Sequence, residues 1–535
     1  MRLTRLVFFL CLSLATTPVW AASPGDVVAR WPSPGKTSTG LAFDGARIWL
    51  ADHGVDQLIA IDAKTGKELK RLKSPGYRPA GLAYDGEQLW CVDVLEAKLY
   101  RIQPDTGLVS RVIPSPVKVP RGLAFDGHAL WVSDDATRSL HRVDPEDGTT
   151  LAELPFPGRS VDGLAYDGRY LWVSDRLSDK LHVLDPERGE VLHSLPSPGP
   201  HPTGLAFDGK RILVVDYQQD SIAVVSREGE DFALREKPRR ARVTFIHQLR
   251  NFGPDALPDV DVYLALPKDL QSQKIHGKPE FVPTEFARKQ DRWGQAVAHF
   301  HFDDLKAGKS ATVRMAVELT AWQVRWIIWP EQVKPLSRLP AEVRRVYLVD
   351  DSKYDIHNPI IREAAEKAVG KERNPYWMAR RIYRHIHQSM HYEMVGGWDV
   401  APKVLARGSG SCSEYSFVFI AMCRAMGIPA RYAGSLVVRR DDASYDDVYH
   451  RWVEIYLPGY GWVPVDPSRG DKDTEAGRAE GFGLLEHNFL ITTQGGGGSA
   501  FLGWNYNANE DYTCAGRCKV DVEGIAEWEP VSTHK

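Results

Sequence analysis

Three things are scarce in this sequence, and each scarcity narrows what the chain can be. Cysteine is rare, with six in 535 residues. Charge of one sign is missing: 67 Lys and Arg stand against 70 Asp and Glu, a net charge of −3. That balance leaves no electrostatic footprint for nucleic acid or an anionic membrane surface, and neither partner is expected. Long apolar runs are missing beyond the N-terminus, so no membrane span is expected once that segment is removed. What remains is ordinary for a soluble globular protein, 43% apolar and 26% charged, in a chain long enough for two to four domains.

Residues 1–21 read as a secretory signal. Arg2 and Arg5 form a basic start, Leu6 to Leu14 an apolar stretch too short to span a bilayer, and Val19-Trp20-Ala21 a small-residue cleavage region that leaves Ala22 first. The expected location is therefore secreted or periplasmic. Removal of the signal leaves five cysteines, Cys91, Cys412, Cys423, Cys514 and Cys518, and an odd number leaves at least one thiol free. Cys514 and Cys518 are close enough to pair. Cys91 follows Trp90 where related segments carry Leu or Val, so it reads as a small core hydrophobe. Cys412 and Cys423 share a helix face but lie about 16 Å apart along its axis, too far to bridge.

Residues 26–226 repeat themselves. Gly-Leu-Ala recurs at Gly40, Gly81, Gly122, Gly163 and Gly204, 41 residues apart. An Asp-Gly pair follows each time, at Asp44, Asp85, Asp126, Asp167 and Asp208, then Trp49, Trp90, Trp131, Trp172 or Leu213, then Asp52, Asp93, Asp134, Asp175 or Asp216. The Asp-Gly pairs carry hairpin-turn chemistry. A period near 40 with four short strands per unit predicts propeller blades. The fifth unit lacks an outer strand, and the segment from Gly25 fits that role, so a closed five-bladed propeller over 25–230 is expected. The repeated aspartates read as turn caps and hydrogen-bonding struts rather than a calcium site. These repeats resemble the NHL and YVTN-type propeller families, a resemblance that speaks for fold rather than function.

Residues 233–330 alternate polar and apolar without helical period, as in RVTFIHQL and DVDVYLALP. They predict a small antiparallel β-sandwich, a spacer or substrate platform. From about residue 340 helical signals take over and run toward residue 535. Asn358-Pro359 and Asn374-Pro375 open helices, and Gly370 closes the first. His385, His387 and His391 share this region, but no HExxH motif or carboxylate completes a metal set, so no metal or cofactor is expected.

The chemistry concentrates in Cys412, His450 and Asp466, spaced by 38 and 16 residues. Ser411-Cys412-Ser413-Glu414 has the form of a capping box, an apolar run follows, and Gly427 and Pro429 stop it. Cys412 then occupies the first helical position, where unpaired N–H groups and the helix dipole favour thiolate. Its own N–H is an oxyanion donor. Glu414 reads as the capping group; its charge opposes the thiolate, which leaves activation to His450. His450 and Asp466 flank a turn centred on residue 458, so they should stand nearly opposite on paired strands. A carboxylate there orients the imidazole and stabilises its charged form.

Residues 360–500 resemble the transglutaminase-like superfamily, a branch of the papain-like fold. The matching pieces are G-S-C with its helix, R-A-M-G-I-P-A-R, H-R-W-V-E-I-Y and G-W-V-P-V-D-P. The resemblance implies an α+β domain over 340–535 with Cys412 as nucleophile, His450 as general base and acid, and Asp466 as the orienting group. Arg451 stands where the family carries a small residue and is expected to narrow the mouth. The QGGGGS segment, Gln494 to Ser499, is a gating-loop candidate or flexible filler. Trp398 and Gln388 are candidates for the oxyanion side chain. The implied function is a secreted cysteine peptidase, amidase or acyltransferase. It would act on amide bonds of a protein or peptide, cell-envelope material included, with the propeller for recruitment. The alternative is a secreted propeller-based binding protein carrying an inactive transglutaminase-like scaffold. Substrate and oligomeric state are not legible.

Overall fold

The computed structural model describes residues 22–531 apart from 230, 395–397, 438–443, 447, 448, 471, 473 and 515, with backbone alone for 444–446. The expected signal segment lies outside the described residues.

Residues 27–226 build five four-stranded antiparallel sheets. Four are consecutive meanders: Ser38–Phe43 to Glu68–Lys73, Pro79–Tyr84 to Val109–Pro114, Pro120–Phe125 to Thr150–Pro155, and Leu164–Tyr166 to Glu190–Pro196. The fifth takes three strands from Pro202–Phe207, Arg211–Asp216 and Ser221–Ser226 and its fourth, Val27–Pro32, from the start of the described chain. Val27 pairs with Val225 and Pro32 with Ser221. The first strand of each sheet neighbours that of the next, and the strand Pro202–Phe207 returns to Ser38–Phe43, so the row closes on itself.

The repeated residues explain each sheet. Asp44, Asp85, Asp126 and Asp167 each cap their turn through one carboxylate oxygen. With the other they accept from the indole Nε1 of Trp49, Trp90, Trp131 and Trp172, at 2.8, 2.9, 3.1 and 2.9 Å. The turn and the core tryptophan are thus fixed by one side chain, which satisfies the polar edge of a buried ring. Burial pushes the Cys91 thiol up, as suits an inert core residue.

The middle of the chain forms two sheets. One runs Gln273–Val282, Ser310–Trp326, Ala233–Pro254, Cys518–Pro530, Ser444–Asp446, with Leu484–Leu485 also on Ser310–Trp326. The other runs Ala287–Gln290, Ala296–Leu305, Leu257–Ala265, Ala508–Tyr512. Their inward residues, among them Phe245, Val262, Phe300 and Val313, share one apolar core. The expected boundary at 340–535 does not hold at its far end. Residues 508–530 pair with the middle sheets, the last strand beside Ala233–Pro254 from Ala241↔Pro530 to Pro254↔Cys518. The alternation in Cys518–Pro530 has no partner nearby in sequence, so its sheet was not readable from local pattern. A disulfide joins Cys514 to Cys518 at the start of this strand.

The helices Pro359–Val369, Pro375–Ser389 and Cys412–Ala425 begin where their caps predict, with Asn358 accepting from Ile360 N and Asn374 from Tyr376 N. The last of them packs on a four-stranded sheet ordered Gly461–Val465, His450–Leu457, Ala430–Val437, Phe489–Gly495, and the other two pack against it. One apolar cluster joins this domain to the fourth and fifth sheets of the repeat. Trp329, 3% exposed, sits at the joint. It stacks on Tyr170 at 5.6 Å, meets His193 edge-on at 4.9 Å, and lies under the guanidinium of Arg227 at 4.5 Å. Arg380 and Glu190, both buried, pair across the same joint at 3.3 Å. Replacing Trp329 by Ala should cost about 3–5 kcal/mol, the usual range for a large buried aromatic. A lowered denaturation midpoint with an unchanged Tyr77→Ala control would show it, Tyr77 being 70% exposed.

Candidate active site

The helix Cys412–Ala425 is buried from Ser413 to Arg424, and only its two end residues, Cys412 and Ala425, are partly open. The reason is local. Glu414, 1% exposed, reaches back to accept from Ser411 N at 3.0 Å, from Asp399 N at 3.1 Å and from Arg407 Nη2 at 2.8 Å. The Ser411 hydroxyl faces the N3 backbone without forming a well-made bond. Glu414 is therefore a fully engaged anchor. It locks the helix start and leaves the Cys412 thiol at the positive end of the dipole. Cys423, on the same helix, is buried and free, its thiol pushed up by desolvation.

His450 opens the strand His450–Leu457, paired to the adjacent strand at Ser435. The ladder to Gly461–Val465 runs from Leu457↔Gly461 to Val453↔Val465. That register is offset by two residues from the one expected: Asp466 lies just past the last pair, diagonal to His450 rather than across from it. The contact forms all the same, His450 Nε2 to Asp466 Oδ2 at 2.7 Å. The imidazole is stacked on Phe489 at 5.8 Å and tilted against Trp452 at 5.9 Å, which holds its plane. Asp466 is held in turn. Its other oxygen accepts from Ser468 N at 3.1 Å and Ser468 Oγ at 2.6 Å, and its own N–H donates to Gly481 O at 2.7 Å. Arg469 Nε stands 3.5 Å from Oδ2.

The electrostatics follow from this packing. Burial by itself would raise the Cys412 thiol; the hydrogen bond and charge of His450, helped by the Arg451 N–H, outweigh it and leave the thiol below its ordinary value. Burial would lower His450, but the Asp466 carboxylate and the thiol raise it to about 10. Asp466, despite burial, is held down to about 2 by the His450 charge and hydrogen bond. With Nε2 engaged by Asp466, Nδ1 is the ring nitrogen left for the thiol. The set favours a thiolate beside an imidazolium, stabilised by a carboxylate behind it.

Several expectations change. Arg451 does not narrow the mouth. It is 0% exposed and turned into the core, its guanidinium caged by Tyr506, Tyr432, Trp398 and Phe417 at 4.5, 4.6, 4.7 and 5.0 Å, with Nη2 donating to Trp504 O. The strand alternation sends residue 451 to the face opposite His450. Trp398 is part of that cage, and Gln388 lines a cavity against the repeat domain. The QGGGGS segment is no gate. Its backbone is buried at the far end of the Cys412 helix, where Arg424 donates to Gly496 O and Trp293 Nε1 donates to Gly498 O at 3.1 Å. A Cβ on Gly496 would meet the Trp293 ring at 2.5 Å and one on Gly497 the Asp351 carboxylate at 2.1 Å, so close approach explains these glycines. Among the described residues, the side chains close enough to share an ion are the exposed Asp259, His301 and Asp303; of the three histidines His385, His387 and His391, the last lies beyond the helix, in the short strand His391–Tyr392. Sequence reasoning missed Phe489, Ser468 and Arg469 as supports. The run Asp466-Pro467-Ser468-Arg469 was the available signal for the last two.

Residues 362–467 match the model of the transglutaminase-like superfamily. That span includes Cys412, His450 and Asp466. Residues 91–215 match the SMP-30/gluconolactonase/LRE-like region, within the repeated sheets. An uncharacterised protein of Haemophilus influenzae is 31% identical over 186 residues, covering 27% of this chain and 50% of the relative, so the match spans about half of that relative's length. Among solved structures, a candidate cysteine protease from Cytophaga hutchinsonii is 14% identical, with a TM-score of 0.40 over 55% of this chain and 99% of that one. Myxococcus xanthus glutaminyl cyclase is 16% identical, with a TM-score of 0.35 over 39% of this chain and 97% of that one.

Two predictions follow from the transglutaminase-like site. Alkylation of Cys412 should stay fast well below the free-thiol value of about 8.5 and slow sharply in His450→Ala, read by mass spectrometry against pH. The Asp466–His450 pair should also shape stability. Asp466, held low, stabilises above its unfolded value of about 4, and this is lost as pH falls toward about 2. His450, held high, stabilises below its unfolded value of about 6.5, and this is lost as pH rises toward about 10. The stability gap between wild type and Asp466→Asn should therefore be widest between roughly pH 4 and 6.5 and shrink on either side, as denaturant melts across pH would reveal.

Proposed function

We propose that this chain is a secreted or periplasmic cysteine enzyme that cleaves or transfers at amide bonds of a protein or peptide through an acyl-enzyme thioester. The observation that carries the reading is the hydrogen-bonded His450–Asp466 pair facing a thiol at a helix start. In this reading Cys412 thiolate attacks the amide carbonyl carbon. Charge gathers on the carbonyl oxygen, toward the Cys412 N–H and the unpaired first-turn N–H groups. The C–N bond breaks as His450 gives its proton to the departing amine. Water, or a second amine, then attacks the thioester with His450 taking the incoming proton, and the thiolate is regenerated. Asp466 keeps the imidazole oriented and supports its charge without becoming protonated itself.

The architecture supports the rest of the proposal. The five sheets, closed by the pairing of Val27–Pro32 with Ser221–Ser226, are read as the blades of one propeller over 25–230, and the two middle sheets with their common core as a β-sandwich. The propeller is the recruiting module, held to the reacting domain through Trp329. Cys412→Ala should abolish acyl-enzyme formation and lower turnover by at least about a thousandfold, as loss of a nucleophile does. The product masses then decide between the two outcomes: acid alone, even with excess primary amine, means hydrolysis, and an added amine mass means transfer. Unchanged phenotype and partner binding in Cys412→Ala would instead support a propeller-based binding protein with an inactive scaffold.

A further inference from the structure

The five repeats serve as comparisons for one another. Gly-Leu-Ala and the Asp-Gly pair stand in every copy, where strands and turns need them. The residue before that first glycine is Thr39, Ala80, Arg121, Asp162 or Thr203, and its chemistry changes from copy to copy. All five line one cavity of about 270 Å³ at the mouth of the ring of sheets, with His53, Arg176, His201 and Tyr217 beside them. The opposite end of the ring differs. Three positions past the glycine come Phe43, Tyr84, Phe125, Tyr166 and Phe207, aromatic every time, around a space of only about 70 Å³. The fold holds that end to one chemistry. The end that varies is the one with room for a ligand.

The two guanidiniums in the cavity have N–H groups to spare. Arg176 gives only its Nε to Asp162, at 3.2 and 3.0 Å, and Arg121 only its Nη2 to Asp135, at 3.3 Å; their side chains are 37% and 31% exposed. Around them, the loops that lead into the first strands carry Lys36, Arg78, Lys118, Arg159 and His201, one basic residue in each loop and no acid. The first four are exposed and have no ion pair among the described residues. The acids on this face are held elsewhere. Asp56, Asp179 and Asp220 take a left-handed turn position that aspartate tolerates, and their carbonyls accept from Ser74, Ser197 and Ser33 at the ends of the outer strands. Glu96 pairs with Lys98. The inner rim is therefore positive. Apolar side chains are interleaved with it: Val55, Tyr77, Leu95 and Leu177 are exposed on loops of the same face. A saccharide or a free phosphate would fill the cavity and leave this apolar rim in water, whereas a polypeptide uses both.

The same face meets the segment that follows Asp466. Ala476 N donates to Pro157 O at 2.8 Å, in the loop that carries Arg159. We propose that the mouth docks an acidic segment of a partner polypeptide with apolar neighbours, a side-chain carboxylate entering the cavity against Arg121 and Arg176. This docking rests on the recruiting role proposed for the propeller, gives that role a partner of stated chemistry, and is independent of Cys412 as nucleophile.

The test uses the full chain with Cys412→Ala, in which nothing turns over, and fluorescein-labelled peptides read by anisotropy. The peptides are repeats of Gly-Glu-Leu, Gly-Gln-Leu, Gly-Lys-Leu and Gly-Glu-Ser, with sodium polygalacturonate as a competing acidic polysaccharide. The Gly-Glu-Leu peptide is expected to bind about tenfold more tightly than the other three, and to weaken as salt is raised. Lys36→Ala, Arg78→Ala and Lys118→Ala combined, all at exposed positions outside any ion pair, should weaken it about tenfold with the melting temperature preserved. Tyr77→Ser with Leu95→Ser should weaken Gly-Glu-Leu and leave Gly-Glu-Ser unchanged. No binding of Gly-Glu-Leu, equal binding of Gly-Gln-Leu, or binding untouched in both variants would overturn the proposal. Equal binding of Gly-Glu-Ser, or competition by polygalacturonate as strong as by the peptide, would overturn it in favour of a general polyanion site. Peptide binding by a chain whose Cys412 forms no acyl-enzyme would remove the enzyme and keep the docking site; acyl-enzyme formation without peptide binding would do the reverse.

Discussion

The burial of the Cys412 helix on every side is the constraint around which the transglutaminase-like domain is arranged. A helix with Phe417, Val418, Phe419, Ile420 and Met422 all fully buried has to be enclosed, and the Pro359–Val369 and Pro375–Ser389 helices and the His450 sheet enclose it. Enclosure fixes both ends. At one end Arg424 is spent on the carbonyls of Val349, Ala430 and Gly496, which satisfies a buried cation without a carboxylate. At the other end Glu414 takes three donors and holds the first turn in place. Cys412 is left as the one helix residue at the opening, a position determined by what its neighbours bury.

The same logic extends outward. The His450 strand packs on that helix, so the imidazole is delivered to the thiol by sheet geometry, and Phe489 and Trp452 set its plane. The segment after Asp466 closes back on the repeat domain, with Ala476 N donating to Pro157 O at 2.8 Å and Lys180 paired to Glu480. The carboxylate behind His450 is therefore on a stretch of chain that touches the repeated sheets directly. Together with Trp329 and the buried Arg380–Glu190 pair, this makes the joint between the domains part of the support of the candidate site, not a loose tether.

The repeated sheets were legible because each copy carries its own structural instruction. An Asp that caps a turn and grips a tryptophan works within one repeat, so local pattern was enough to place strands and turns. The helix starts were legible for the same reason, since caps act within four residues. The three candidate site residues were also readable: a cysteine in a capping box and a histidine and aspartate flanking a turn are short-range features. What failed was long-range. The two-residue offset between the His450 and Asp466 strands was hidden because Asp466 leaves the ladder to be held by Gly481. QGGGGS looked like a flexible tether because glycine permits both freedom and close contact, and here Trp293 and Asp351 demand contact.

By itself, then, the sequence determined the repeat and its period and the caps that start the helices, because each depends on interactions between near neighbours in the chain, and it offered Cys412, His450 and Asp466 as a candidate set. Only the tertiary structure decided that residues 508–530 complete the middle sheets. It alone turned Arg451 inward to an aromatic cage and brought Glu190, Arg380 and Lys472 around one cavity. Those outcomes hinge on which apolar faces and buried charges meet between segments well separated in the chain, and no local pattern of polar and apolar residues carries that information.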